Sequence, residues 1–319
     1  MKYVDITDIP GIKVGNAENL EAATGCTVII CEKGAVTGVD VRGGAPGTRE
    51  TDLLNPMNLV DKVHAVMLAG GSAFGLDASS GVMEYLESRD IGFDVGVTKV
   101  PIVTAAVLFD LNVGNYKIRP DKKMGYEACV NAEKDIFAEG NRGAGTGASL
   151  GKILSMERAM KGGLGSSCIK IGELYVGAVV AVNCLGDVVD PRSGRIIAGA
   201  LSEDGKAFLD SEKFIINNCI KNKNVFTGNT TIGAVITNGI LNKAQANKVA
   251  SMAHNGYART IRPSHTMFDG DTIFAMATGD VEVDVTALGT MAAKVIEQAV
   301  LNGIKNASGA YGLKSASEI

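Results

Sequence analysis

Apolar, β-branched residues fall in short runs along the chain, and each run bounded by turn residues predicts a strand. Residues 27–30 and 36–41 read as two strands joined at Glu32-Lys33-Gly34 with hairpin spacing. A short apolar strand over 64–69 runs into Gly70-Gly71-Ser72-Ala73-Phe74-Gly75, and apolar spacing through Leu76, Val82, Met83 and Leu86 predicts a helix over 76–88. A further buried strand is predicted over 100–111 and a helix over 125–138, and 161–167 reads as a flexible turn. Residues 167–171 and 174–183 form a predicted hairpin with a tight Gly172-Glu173 turn. The polar stretch 194–227, with a helix near 210–219, reads as a surface linker or processed loop. It leads into Gly228-Asn229-Thr230-Thr231, a turn that delivers two threonines onto an apolar run ending at Asn238. A helix capped by Asn242 is expected to about residue 260, an apolar strand over 268–278, and an amphipathic helix over 286–302 before a loosely held tail at 314–319.

Composition narrows the class. The 319 residues suffice for one large domain or two ordinary ones, and 46% hydrophobic with 21% charged residues is usual for a soluble globular protein. A net charge of −4 without any Lys/Arg block argues against a nucleic-acid partner. Residues 1–10 carry acids where a secretory signal carries bases, and no run approaches the length of a membrane span, so the expectation is a cytoplasmic protein without membrane association. Six cysteines without a C-x-x-C pair suit reduced, buried thiols, and three dispersed histidines suit structural or surface roles better than a metal site.

The candidate chemistry centres on Thr230. A threonine hydroxyl is a weak nucleophile that needs an adjacent base, and a free α-amine on the same residue can be that base. Its ordinary pKa of about 7.7 to 8.0, against about 10.4 for lysine, leaves a useful neutral fraction near pH 7. Freeing the amine requires a cut between Asn229 and Thr230, and a Gly-Asn turn leaves that carbonyl accessible. The same string is also an ordinary turn at a strand start, and it matches a glycosylation sequon.

Other segments allow two readings each. The loop 42–52 is a connector or lines a pocket. The 70–75 glycines do not have dinucleotide-binding spacing, and Asn141 to Lys152 fails as a phosphate-binding loop at Thr146 and Ile153. What remains there is a glycine-rich loop ending in Lys152, which brings backbone N–H groups and one cation to a site or leaves the lysine in solvent. Asn183 ends an apolar strand, where an amide serves an oxyanion or shapes a turn. Asp269 and Asp271 stand at the mouth of an apolar strand, at a site or in an Asp-Gly turn with the strand starting later.

Long strings in the chain resemble the DmpA-type family, which includes aminopeptidases with D-esterase activity, β-aminopeptidases and nylon-oligomer endo-hydrolases. They are Val41-Arg42-Gly43-Gly44-Ala45-Pro46-Gly47-Thr48-Arg49-Glu50, Ala69-Gly70-Gly71-Ser72-Ala73-Phe74-Gly75-Leu76-Asp77-Ala78, Gly228-Asn229-Thr230-Thr231 and Phe268-Asp269-Gly270-Asp271-Thr272-Ile273-Phe274. The resemblance implies an α+β fold, a four-layer αββα sandwich, as a single domain that cuts itself into fragments 1–229 and 230–319. It implies Thr230 as nucleophile, Lys152 as its support, Asn183 as oxyanion donor, and Asp269 with Asp271 as the acidic pair that orients the nucleophile. The substrate pocket falls to Phe109, Gly70, Gly71 and Ser72. A small peptide or amide substrate, no metal or cofactor, and a homo-oligomer of four or more copies are implied as well. Two departures stand out: Asp269-Gly270-Asp271 replaces the Ser-x-Glu pair of the family's serine enzymes, and Phe109 stands where several members have tyrosine. Rival readings are an acyltransferase of the ornithine acetyltransferase type and a relative that keeps the fold without maturing.

Overall fold

The structure is a computed structural model and describes residues 1–219 and 228–319. Ten strands join in one hydrogen-bonded sheet: β1 (Lys2–Val4), β2 (Lys13–Asn19), β3 (Thr24–Val41), β4 (Thr48–Arg49), β5 (Lys62–Ala69), β6 (Val103–Val107), β7 (Gly163–Ile171), β8 (Leu174–Val182), β9 (Ile232–Gly239) and β10 (Thr272–Val281). Their order is β1-β7-β8-β9-β10-β3-β5-β6-β4, with β2 added beside β3. The helices are α1 (Ala78–Glu87), α2 (Lys122–Ala132), α3 (Ser211–Asn217), α4 (Lys243–Thr260) and α5 (Val285–Lys305). Neighbouring strands are antiparallel except β5 with β6 and β9 with β10, which run parallel.

Alternation along the strands sorts their side chains into separate cores. Val28, Ile30 and Met67 pack under α1 and α2 with Val82, Leu86 and Cys129. At the other end of the sheet Val180, Val235 and Ile273 pack under α4 and α5 with Val249, Tyr257 and Ile296. The alternate residues of both halves, among them Ile29, Leu68, Val179, Ile232, Ile236 and Phe274, meet in a common central core. Such strands, apolar on both faces, explain why the sequence shows continuous apolar runs there.

The expected hairpin at Glu32-Lys33-Gly34 is instead the middle of one 18-residue strand. Gly34 takes φ +73°, and the pairing with β5 shifts register between Ile30 and Ala35, so the turn residues make an irregularity without reversing the chain. Residues before it pair with β2 and β5, Ala35 and Val36 still pair with β5, and Val36 to Val41 pair with β10, so β3 carries the backbone from one half of the sheet to the other.

The β7–β8 hairpin forms as expected, with Ile171 opposite Leu174 and Gly172 at φ +56°. Asn242 caps α4, its side chain accepting from Gln245 N–H while the Gln245 side chain accepts from Asn242 N–H. The helix expected over 125–138 runs over Lys122–Ala132; it starts earlier because the Asp121 side chain accepts from Met124 N–H at 2.9 Å. The strand expected over 100–111 is only Val103–Val107. The expected flexible turn at 161–167 is a correction: Lys161 is fully buried and β7 already begins at Gly163. The tail is also held, with Lys314 C=O accepting from Lys161 N–H at 2.8 Å and Ser315 buried. Of the polar stretch expected to be a linker, residues 220–227 lie outside the described residues. Among the described residues no helix is long and apolar enough to cross a membrane, and the six cysteines are unpaired, with only Cys219 exposed.

The contact of β7 with α5 requires a missing side chain. A Cβ on Gly165 would stand 2.2 Å from both Ala299 O and Gly303 N. Both are helix backbone and cannot yield cheaply, so Gly165→Ala should lower stability by about 1–3 kcal/mol in chemical denaturation. An unchanged midpoint would show that α5 shifts freely on the sheet.

Candidate active site

Where β9 and β10 begin, the two segments leading into them run side by side. Asn229 N–H donates to Phe268 O at 3.2 Å, Gly270 N–H to Asn229 O at 3.1 Å, and Thr272 N–H to Thr231 O at 3.3 Å. On the other side, Thr230 N–H donates to Asn183 O at 2.9 Å, just past the end of β8. Thr230 is thereby fixed between two strand ends and is only 4% exposed. Its hydroxyl donates to the carbonyl oxygen of Asn229, the residue before it. Gly228 makes this approach possible: it takes φ +49°, and a Cβ there would lie 2.4–2.8 Å from the Phe109 ring.

The lysine and the amide singled out in the sequence meet beside this turn. Lys152 is buried, and its ammonium donates to Asn183 Oδ1 at 3.0 Å, Asn183 O at 3.3 Å and Gly228 O at 3.4 Å. Burial pulls its pKa down to about 8. Asn183 Oδ1 also accepts from Ser149 N–H at 3.0 Å, and Asn183 Nδ2 donates to Phe109 O at 3.0 Å.

Lys161 was passed over in the sequence and organises this wall from behind. Its ammonium donates to Gly145 O at 2.8 Å and to Ala148 O and Gly162 O at 2.9 Å, pinning the glycine-rich loop that carries Ser149 and Lys152. Burial brings it down to about 7, while three carbonyl acceptors favour the charged form. Its sequence neighbourhood, lysine before two glycines, looks like any exposed turn.

Asp269 and Asp271 are each 1% exposed, and β10 starts only after them. Asp269 accepts from Leu185 N–H at 3.3 Å, Thr266 N–H at 3.0 Å and Thr266 Oγ1 at 2.6 Å. Burial, and then the neighbouring Asp271 charge, raise its pKa to about 6. Asp271 accepts from Thr231 N–H at 2.8 Å, and its other oxygen takes both His265 N–H at 3.0 Å and the His265 ring Nδ1 at 2.9 Å. His265 and Thr266 are the acids' partners that sequence reasoning missed, since nothing in Arg262-Pro263-Ser264-His265-Thr266 shows which way its donors point. Among the described residues no hydrogen bond joins either carboxylate to the Thr230 hydroxyl.

A small cavity of about 120 Å³ opens against Thr230, lined by Pro46, Ser72, Val107, Phe109, Gly228 and Phe268 among others. Ser72 and Phe109 line it, and the 42–52 loop contributes Ala45, Pro46 and Gly47. Gly70 and Gly71 do not line it. Gly71 N–H donates to the buried Asp110 at 2.7 Å, and Gly70 packs against Asp110 and Thr24, so these glycines hold the wall behind Ser72. A larger groove of about 890 Å³ between the N-terminal strand and α5 includes none of these site residues.

Peptidase family S58 is matched over residues 5–317. An uncharacterized aminopeptidase of Mycobacterium leprae (strain TN) is 44% identical over 298 residues, covering 88% of this chain and 80% of the relative. A 6-aminohexanoate-oligomer endohydrolase of Kocuria sp. (strain KY2) is 33% identical over 322 residues, covering 93% and 85%. The solved L-aminopeptidase D-Ala-esterase/amidase of Ochrobactrum anthropi, described as a variant of the Ntn hydrolase fold, matches with a TM-score of 0.69 over 95% of this chain and 86% of that one. At 18% identity that likeness is one of fold.

Lys161 gives the site a pH signature. Against the ordinary value of 10.5 its folded value is about 7, so between the two the unfolded chain binds a proton that the folded chain does not. Stability should therefore rise with pH across that interval, and the gain should be absent below it. Denaturant titrations at about pH 7 and about pH 10 should show a smaller rise for Lys161→Met than for wild type; equal rises would mean that Lys161 stays charged throughout.

Proposed function

The chain belongs to peptidase family S58 and is a peptide-bond hydrolase, and from that footing we propose that it is made as a precursor that cuts itself between Asn229 and Thr230 and then works through a threonyl ester. The observation that carries this reading is the Thr230 hydroxyl held on the carbonyl of the residue before it. That hydroxyl lies inside a buried site, against a small cavity of about 120 Å³.

The chemistry of the mature enzyme follows from what the cut releases. The Thr230 nitrogen now donates as an amide to Asn183 O at 2.9 Å; after scission the same atom is a primary amine one bond network away from Lys152. Two cations sharing the Asn183 acceptors lower each other's pKa, and burial adds to this, so the new amine is neutral near pH 7 and can take the proton of its own hydroxyl. Thr230 then attacks the carbonyl of a peptide or linear amide, the amine partner leaves, and water releases the acyl group. Asn183 Nδ2 gives one N–H to Phe109 O, and its other N–H is the donor for the substrate oxyanion. Asp269 and Asp271 hold the backbone on which Thr230 rests. The same family reading supports the four-layer αββα arrangement, with β3 passing between its halves, and a single domain made of fragments 1–229 and 230–319.

The relatives named for aminopeptidase and oligomer hydrolase activity suggest the test compounds: p-nitroanilides, β-amino acid amides and an aminohexanoate oligomer. Denaturing mass spectrometry of purified wild type should give two fragments meeting at 229/230, while Thr230→Ala should keep one mass near 33.1 kDa and hydrolyse nothing. Asn183→Ala, once matured, should be slower by about two to three orders of magnitude. Hydrolysis by wild type with the 229–230 bond intact would overturn the reading.

A further inference from the structure

Self-cleavage puts negative charge on the Asn229 carbonyl oxygen before any free amine exists, and that charge needs a donor already aimed at it. In the reading above the second Nδ2 N–H of Asn183 is kept for the substrate oxyanion, while its Oδ1 accepts from Lys152 and Ser149 N–H and its first Nδ2 N–H goes to Phe109 O. Phe109 offers a ring where a tyrosine would offer a hydroxyl, and the Lys152 ammonium reaches the preceding carbonyl, Gly228 O. The backbone N–H of Gly270, 3.1 Å from Asn229 O, is the donor in place.

We propose that the Gly270 N–H is the oxyanion donor of the maturation step, and that Asp269 and Asp271 act on this step as anchors of the peptide that carries it. The proposal rests on the self-cleavage reading. In the step, Thr230 Oγ1 bonds to the Asn229 carbonyl carbon and the carbonyl electron pair moves onto its oxygen, and Gly270 N–H donates a hydrogen bond to the resulting oxyanion. The C–N bond to Thr230 then breaks, the hydroxyl proton ends on the departing nitrogen, and an ester remains. Water hydrolyses that ester to the Asn229 carboxylate and restores the Thr230 hydroxyl.

Two independent features fit this role. First, the carboxylates on either side of Gly270 are each held by three hydrogen bonds, from the preceding loop and from Leu185 or Thr231. Asp269 is held by Leu185 and Thr266, Asp271 by Thr231 and His265, and the Asp269 carbonyl by Ala45 N–H at 2.8 Å. The Gly270 peptide is thus fixed at both ends before reaction, as a preorganised donor must be. Second, position 270 has no room for a side chain. A Cβ there would stand 2.7 Å from Thr230 Oγ1, 2.7 Å from Ala45 O and 3.1 Å from Pro46 Cα. Glycine lets the donor peptide and the attacking hydroxyl crowd the same carbonyl.

Replacing Gly270 by glycolic acid in cell-free translation exchanges its N–H for an ester oxygen and changes nothing else in the side chains. Self-cleavage followed by denaturing mass spectrometry should slow by about two to three orders of magnitude, while the same exchange at Gly312, exposed with nothing near it, should cleave at the wild-type rate. Equal rates for the two ester proteins would overturn the proposal. If wild type itself stays intact, the self-cleavage reading fails instead, and the two failures are distinct. Should the Gly270 ester not give a native circular dichroism spectrum, Thr266→Val decides: it removes the 2.6 Å bond that anchors Asp269 and should slow cleavage about tenfold. An unchanged rate in that variant would overturn the anchoring and the proposal with it.

Discussion

The site depends on meeting the cost of burying charge. Lys152, Lys161, Asp269 and Asp271 are at most 1% exposed, and a buried ionised group without partners is prohibitively unfavourable. The molecule answers with backbone: carbonyls of residues 145, 148, 162, 183 and 228 for the ammonium groups, and amides of 185, 231, 265 and 266 for the carboxylates. Regular strands and helices use their own N–H and C=O groups internally. The segments at the strand ends are irregular because their polar groups are committed to these four side chains.

That commitment explains the rigidity of Thr230. Its amide is held by the end of β8, its neighbour Thr231 by Asp271, and its preceding carbonyl by Gly270. Movement at any of these points would leave a buried polar group unpaired, at a cost of about 1–3 kcal/mol each. The hydroxyl therefore has a defined place relative to the carbonyl beside it, which is what proximity requires of a reaction within one chain.

Much of this was legible in local sequence. Glycine and asparagine before two threonines marked the turn, the Gly172-Glu173 turn marked the β7–β8 hairpin, and Asn242 with Gln245 marked the start of α4; each is a short-range device whose partners lie within a few residues. Where partners are distant, the sequence was silent. Lys161 is buried because carbonyls 13 and 16 residues away converge on it, and β3 stays continuous because β2 and β5 pair with its first part and β10 with its second. The orientation of His265 toward Asp271 is set by the same kind of tertiary closure. Gly70 and Gly71 fell to the pocket through the family resemblance, whereas Gly71, at a left-handed φ of +82°, gives its N–H to Asp110 and neither glycine lines the cavity.

The order β8-β9-β10-β3 has a mechanical meaning. In the ten-stranded sheet the two strands that follow residue 230 lie between strands that precede it, and α4 and α5, which also follow it, are packed over β3 and β7. A break in the covalent chain at the head of β9 leaves every one of these seams closed. The two pieces would be interleaved like the fingers of clasped hands, joined by the β8–β9 and β10–β3 ladders.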